Sequence, residues 1–245
     1  MANIKRLEAL IDKFIADYTK ALDKATNLYI ATLPKDITKE ALTDIISKQQ
    51  DVIKKLIGQV DSSLNRTYAE IISLVKSDMK GIAEFTGADI DTILTLKNVD
   101  LSSMASVTNS MNAELNKQIT MASVTNVPFE NIVGVIRDKF DIAKGEAEQI
   151  ARTSLHSSMQ AIRTGKAEES GITYYRYDGP LQENSRDFCR EMEGKVLTRE
   201  EIDAIEAGSY PDGSPHLDDV MIHRGGYNCN HQWIPITDEE AKGEV

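Results

Sequence analysis

Gly171-Ile-Thr-Tyr-Tyr-Arg-Tyr-Asp-Gly-Pro180 is where the chain changes texture. Residues 172–177 are β-branched and aromatic, which predicts a strand, and Asp178-Gly179-Pro180 is turn chemistry. Gly171 reads as a helix stop, because glycine readily takes the left-handed conformation that closes a helix C-terminus. Upstream the pattern is helical, and downstream it mixes short strands and short helices. The expected fold class is mainly α with a small C-terminal α+β unit, entered from a long N-terminal helical hairpin or arm.

Downstream, residues 185–193 read as a short helix carrying Cys189, 194–198 as a second strand and 199–207 as another short helix. Residues 208–226 are rich in Gly, Pro, Ser and Asp and read as a long ordered loop. Gln232-Trp-Ile-Pro-Ile236 reads as a closing edge strand, since Pro235 needs a position without a ladder donor.

Upstream, Ile4, Leu7, Ile11, Phe14, Tyr18, Ala21, Ala25 and Leu28 form one apolar stripe at spacings of three and four. After Pro34, a second stripe runs through Leu42, Ile46, Gln49, Ile53, Leu56, Val60, Leu64, Tyr68, Ile71, Val75, Met79, Ile82 and Phe85. Together they predict a helical hairpin over the first 85 residues or so, its stripes facing one another or a partner, including a second copy of the chain. Met-Ala-Ser-Val-Thr-Asn occurs at 104–109 and again at 121–126. Pro128, with Asn126 as a cap, opens a helix whose apolar face is Ile132, Val135, Ile136, Phe140 and Ile142; a further helix is expected over about 146–170. The expected division is a helical arm over 1–128 and an α+β domain over 129–245.

The chain has 245 residues with 28 Lys and Arg against 39 Asp and Glu, net −11. Residues 1–150 carry 18 basic and 21 acidic side chains; the remainder carry 10 and 18, so the acidity is concentrated late. That balance argues against a general coat for DNA or anionic lipid, because phosphate binding is driven by Lys and Arg. Arg152, Arg163 and Lys166 make a modest basic stripe on one helix, readable as a solvated face or a contact to nucleic acid. His156, between them, reads as a surface or interhelical residue. No apolar run approaches the roughly 20 residues of a membrane span, and no secretory leader is expected at the start. Two cysteines cannot make a disulfide framework, so a reducing compartment is expected.

Cys189, His223, Cys229 and His231 gather in the last quarter. On a strand, residues two apart share a side, so Cys229 and His231 can present donors to one ion, with Cys189 crossing from its helix and His223 as fourth donor. Two thiolates and two imidazoles suit tetrahedral zinc, which would staple a small loop-rich unit. The competing reading is two buried thiols and two backbone-bonded histidines. No Gly-x-Ser-x-Gly, P-loop, Gly-x-Gly-x-x-Gly or His-Glu-x-x-His motif occurs. Cys229 with His231 is poorly spaced for a thiol nucleophile and its base. Glu168/Glu169 and Asp218/Asp219 read as solvated charges before a catalytic pair.

Four stretches carry a resemblance: Ala151-Arg-Thr-Ser-Leu155, Gly171–Tyr177, Asn184-Ser-Arg-Asp-Phe-Cys-Arg-Glu-Met-Glu-Gly-Lys-Val196 and Gly226-Tyr-Asn-Cys-Asn-His-Gln-Trp-Ile-Pro-Ile236. In this order, across about residues 130–237, they resemble the tailed-bacteriophage minor head protein family, the Mu F-like head morphogenesis domain. Cys189 stands at that family's cysteine or histidine, Gly194-Lys195-Val196 at its Gly-Lys-Val, and Cys229 and His231 at its closing pair. Arg186 and Gly226 stand where many members carry further donors, which leaves His223 as a substitute. The resemblance implies a virion component made in a host cytoplasm, in the head interior or near the portal. It also implies contacts with the portal protein and major capsid protein, a role in head assembly or DNA delivery, and no catalytic residues. The alternatives are a metal-dependent or cysteine enzyme of phage origin and a genome-associated protein ejected with DNA.

Overall fold

The computed structural model describes residues 2–80, 84–125, 127–205, 219–226 and 229–244. Gly81, Ile82, Asn126, residues 206–218 (the end of the helix expected over 199–207, most of the loop expected over 208–226, and Asp218) and residues 227–228 of the closing motif lie outside the described residues. In chain order the elements are α1 (Ala2–Ala31), α2 (Leu42–Asp78), α3 (Gly87–Thr125), α4 (Phe129–Glu169), β1 (Tyr174–Asp178), α5 (Asp187–Met192), β2 (Val196–Thr198), α6 (Arg199–Ile205), α7 (Val220–His223), β3 (Gln232–Ile236) and α8 (Asp238–Glu244). Four long helices followed by a small three-stranded sheet match the expected fold class.

The chain divides into two compact units. One takes residues 12–67 and 98–151; the other takes 1–11, 68–97 and 152–245. Each of the four long helices therefore gives a segment to both units.

The unit of 12–67 and 98–151 is made of four helical segments. Tyr18 Oη lies 3.4 Å from Thr108 Oγ1, and Tyr29 Oη donates to Asn112 Oδ1 at 3.1 Å. The numbers rise together, so α1 and α3 are parallel. Thr19 donates to Glu148 at 3.3 Å and Lys144 to Asp23 at 2.6 Å, so α4 runs antiparallel to α1. Tyr29 also meets Phe140 edge-on, centroids 5.6 Å apart at 70°, an arrangement the ring quadrupoles favour. The buried stripe of α1 passes through Leu22 and Tyr29, and Leu28 is 44% exposed. The expected Ala21 and Leu28 are displaced because the larger side chains fill the core, with the Tyr29 hydroxyl satisfied on α3. On α2, Ile45 is buried and Leu42 and Ile46 are only half-buried.

α4 is one helix of 41 residues, where two were expected. Gly145 sits inside it, a position costing a helix about 1 kcal/mol relative to alanine without breaking it. Its inward residue is Ala143; Ile142 is 57% exposed. The two hexamers both fall in α3, seventeen residues apart. At 3.6 residues per turn that offset rotates the second copy by about 100° from the first. Met104 is accordingly buried and Met121 half-exposed, so the sequence repeat is not a structural repeat.

In the other unit, the sheet has order β2-β1-β3, antiparallel throughout. β1 pairs Tyr175 with Leu197 on one side and with Pro235 on the other, and Tyr177 with Trp233. Pro235 thus lies on an edge strand, as its missing N–H requires. Gly171, at φ +75°, ends α4: Gly171 N donates to Glu168 O at 3.0 Å and Ile172 N to Ala167 O at 2.9 Å, a Schellman closure that turns the chain into β1. The inward side chains of β1, Tyr175 and Tyr177, are fully buried. Residues 220–223 form α7 where a loop was expected, because Asp219 caps them by accepting from Ile222 N at 3.1 Å.

Two threonines open helices in this unit by the same reciprocal device, and a third, Thr86, bonds to its acidic partner in one direction. Thr198 N donates to Glu201 Oε2 at 2.8 Å while Glu201 N donates to Thr198 Oγ1 at 3.2 Å, starting α6. Thr237 and Glu240 repeat this at α8, with 2.8 and 3.3 Å. At α3 the Thr86 N–H and hydroxyl both donate to Asp89. The acidic partners Glu201 and Glu240 have pKa values lowered by these backbone N–H groups.

A candidate metal centre of two cysteines and a histidine

α5 turns Cys189 inward together with Phe188 and Met192. Across from it, the segment entering β3 supplies Cys229 and His231. Both lie just before β3 instead of on it, the placement expected from their spacing, yet they converge. Cys189 Sγ and Cys229 Sγ are 3.8 Å apart, and Cys229 Sγ is 3.9 Å from His231 Nδ1. The three donor atoms all lie within 4.8 Å of one another, and all three residues are buried. This geometry can hold one metal ion, with Nδ1 as the histidine donor.

His231 Nε2 faces away from the sulfurs and lies 3.3 Å from Glu193 Oε2. The two atoms are within ion-pair distance but make no hydrogen bond with one another. Burial raises the Glu193 pKa, and the nearby His231 lowers it. Tyr177 is the hub of the site. Its ring stacks on His231, centroids 5.1 Å apart at 8°, stands edge-on to Phe188 at 5.8 Å and packs against Trp233 at 4.7 Å. Its hydroxyl lies 3.6 Å from Cys189 Sγ and 3.5 Å from Cys229 Sγ. Burial pushes the phenol pKa well up, so it stays a proton donor beside the sulfurs.

Close backbone approach shapes the remaining wall. Gly225 N donates to Cys229 Sγ at 3.3 Å. A Cβ at Gly225 would lie 2.5 Å from Cys189 Sγ and 3.0 Å from Cys229 Sγ, and one at Gly179 would lie 2.6 Å from the His231 Cα. Arg224, just before Gly225, is a non-glycine residue at φ +56°, and its guanidinium is fully buried. Hydrogen bonding from Cys189, then from His231, with the Arg224 charge nearby, pulls Cys229 well below the usual thiol range. The bond to Cys229 and burial push Cys189 up. The two thiols therefore titrate as one coupled pair.

His223, the expected fourth donor, ends α7 half-buried and is not among the donors that converge. Arg186, at 2.9 Å, donates through Nη1 to Gly225 O and so ties α5 to the wall of the site.

The expected basic stripe on α4 is not a solvent-facing one. Arg163 is fully buried, with Nη1 on Gln232 Oε1 and Nη2 on Asp78 Oδ2. Lys166 is 6% exposed and pairs with Asp89 at 3.0 Å and Glu169 at 2.7 Å. Arg152 alone of the three is half-buried. His156, expected at a surface or helix interface, is 1% exposed, and neither ring nitrogen has a hydrogen-bond partner among the described residues. Burial, aided by the Arg224 charge, lowers its pKa to about 3.

Sequence reasoning found the three converging donors and missed Tyr177, Glu193, Gly225 and Arg224. Tyr177 had a signal, the period-two burial of a half-buried strand. Among the described residues, no helix is long and apolar enough to cross a membrane. No family model, curated protein or solved structure matches the chain.

Proposed function

We propose that this chain is a minor head protein of a tailed bacteriophage, working in the virion by binding the portal protein and the capsid interior, without catalysis. The observation that carries the reading is the meeting of Cys189, Cys229 and His231 in one buried cluster. These are the positions that the Mu F-like resemblance marks, 40 residues apart between the two cysteines. In this reading the ion is zinc and its work is structural. Two thiolates and an imidazole suit zinc, and the ion neutralises charge that would otherwise be buried. It would clamp α5 to the segment entering β3 in a unit whose sheet has only three strands.

The test is assembly. The chain is co-produced with the portal and major capsid proteins of a phage whose genome carries it, and heads are purified and their protein content measured. Incorporation into heads, and a complex with the portal protein alone, are the expected results. Heads that form with the chain present in the cell but lacking it, with no binding to either protein, overturn the reading.

A further inference from the structure

The three donors do not face a sealed core. A cavity of about 280 Å³ is lined by all three of them together with Asn184, Arg186 and Asn230. The Tyr177 hydroxyl and the Gly225 N–H, which do not line that cavity, also meet the sulfurs. A divalent ion seated among Cys189, Cys229 and His231 is thus reached from the cavity. Tetrahedral zinc takes four donors, and three-donor zinc sites differ from closed structural ones by the exchangeable ligand in the fourth position.

We infer that this centre, with three donors among the described residues, has a fourth coordination position that opens into the cavity and takes water or a small anionic donor. The inference rests on the metal reading above and deepens it. The charge around the position favours an anion. Two thiolates and a neutral imidazole balance a divalent ion to zero. Of the charged groups near it, Arg186 is half-buried on the cavity wall, whereas the Glu193 carboxylate lies at His231 Nε2 and does not line the cavity. Among the described residues the rest of the lining is uncharged, Pro180 with the amides and hydroxyl of Gln182, Asn184, Ser185 and Asn230, and these polar groups can hydrogen-bond a bound oxygen or nitrogen donor without repelling it. His223, which would otherwise complete the set, does not line this cavity.

Cobalt(II) in place of zinc gives the site a visible spectrum that reports its ligand set. The full-length chain, freed of metal and titrated with cobalt, is expected to bind it stoichiometrically with thiolate-to-cobalt charge-transfer bands. Azide, and separately acetate, is then added. A saturable shift of the ligand-field bands, with cobalt retained and the same response in His223→Gln, is the expected result. Cobalt bound with a spectrum indifferent to both anions means a fourth protein donor closes the site, which overturns the inference and leaves the metal reading intact. No cobalt or zinc bound overturns both. Loss of cobalt to the added anion, in place of a shifted spectrum, also overturns the inference.

Discussion

The side-chain amide of Gln160, on α4, pairs with both backbone groups of Trp233 on β3. Its Oε1 accepts from Trp233 N at 3.1 Å, and its Nε2 donates to Trp233 O at 3.0 Å. One glutamine thus does for the outer edge of β3 what a neighbouring strand would do. It blunts an edge that is otherwise open to pairing with another chain.

Replacing Gln160 by Ala leaves a buried N–H and a buried carbonyl unsatisfied, each costing about 1–3 kcal/mol. The expected loss, about 2–4 kcal/mol in denaturant unfolding, comes with a greater tendency to self-associate. Gln160→Glu should lose most of it too, since a carboxylate cannot donate to Trp233 O. Unchanged midpoints in both variants would show that the pairing contributes nothing.

The buried Arg163–Asp78 pair has the opposite logic. Arg163 is fully buried, so Asp78→Ala strands an uncompensated guanidinium, and the expected cost is about 3–5 kcal/mol. Arg163→Met should cost less, and the double variant should lie near the Arg163→Met single. Additive losses across that cycle would exclude the coupling.

His156 makes stability depend on pH. Its folded pKa, about 3, lies below the ordinary histidine value of about 6.5. Between those values the unfolded chain carries a proton that the native state refuses, so stability falls as pH falls. The slope from this one group approaches about 1.4 kcal/mol per pH unit. His156→Leu, which also removes two unpartnered buried nitrogens, should flatten the acid limb between about pH 6 and 4 and stabilise the protein there. An unaltered limb in that variant assigns the acid sensitivity to other groups.

On the proposed zinc reading, Gly225→Ala should weaken metal binding. The new Cβ would lie 2.5 Å from Cys189 Sγ, so that sulfur must shift and the donor set is disturbed. Zinc content of the purified variant is expected to fall well below that of the parent chain. Full zinc occupancy would mean that the sulfurs can shift without loss of the site.

Much of this was readable from residues alone. β3 falls on residues 232–236 as expected, because its β-branched and aromatic residues and Pro235 point to one solution, an edge. The Cys–Cys–His trio was legible because few residue types can bind zinc and the chain holds two cysteines. The Thr-x-x-Glu spacing at 198–201 and 237–240 is a helix-start signature, and it locates α8, which hydrophobicity did not reveal. What could not be read depends on distant pairing. Arg163 and Lys166 look like surface charges until Asp78 and Asp89, about 80 residues earlier, are brought beside them. His156 looks polar and is not, because its surroundings come from other segments. The break expected before residue 146 is absent, because the cost of Gly145 inside α4 is small against tertiary packing.

The path of the chain through its two units sets the order in which they can be completed during synthesis. The unit of 12–67 and 98–151 has all its residues once the ribosome has passed position 151. The other combines residues 1–11 and 68–97 with residues from Arg152 onward, so it is completed only after the first. Every passage from one unit to the other falls inside a long helix. Neither unit can therefore be exchanged as a cassette between related genes, and variation should accumulate in side chains instead of by recombination.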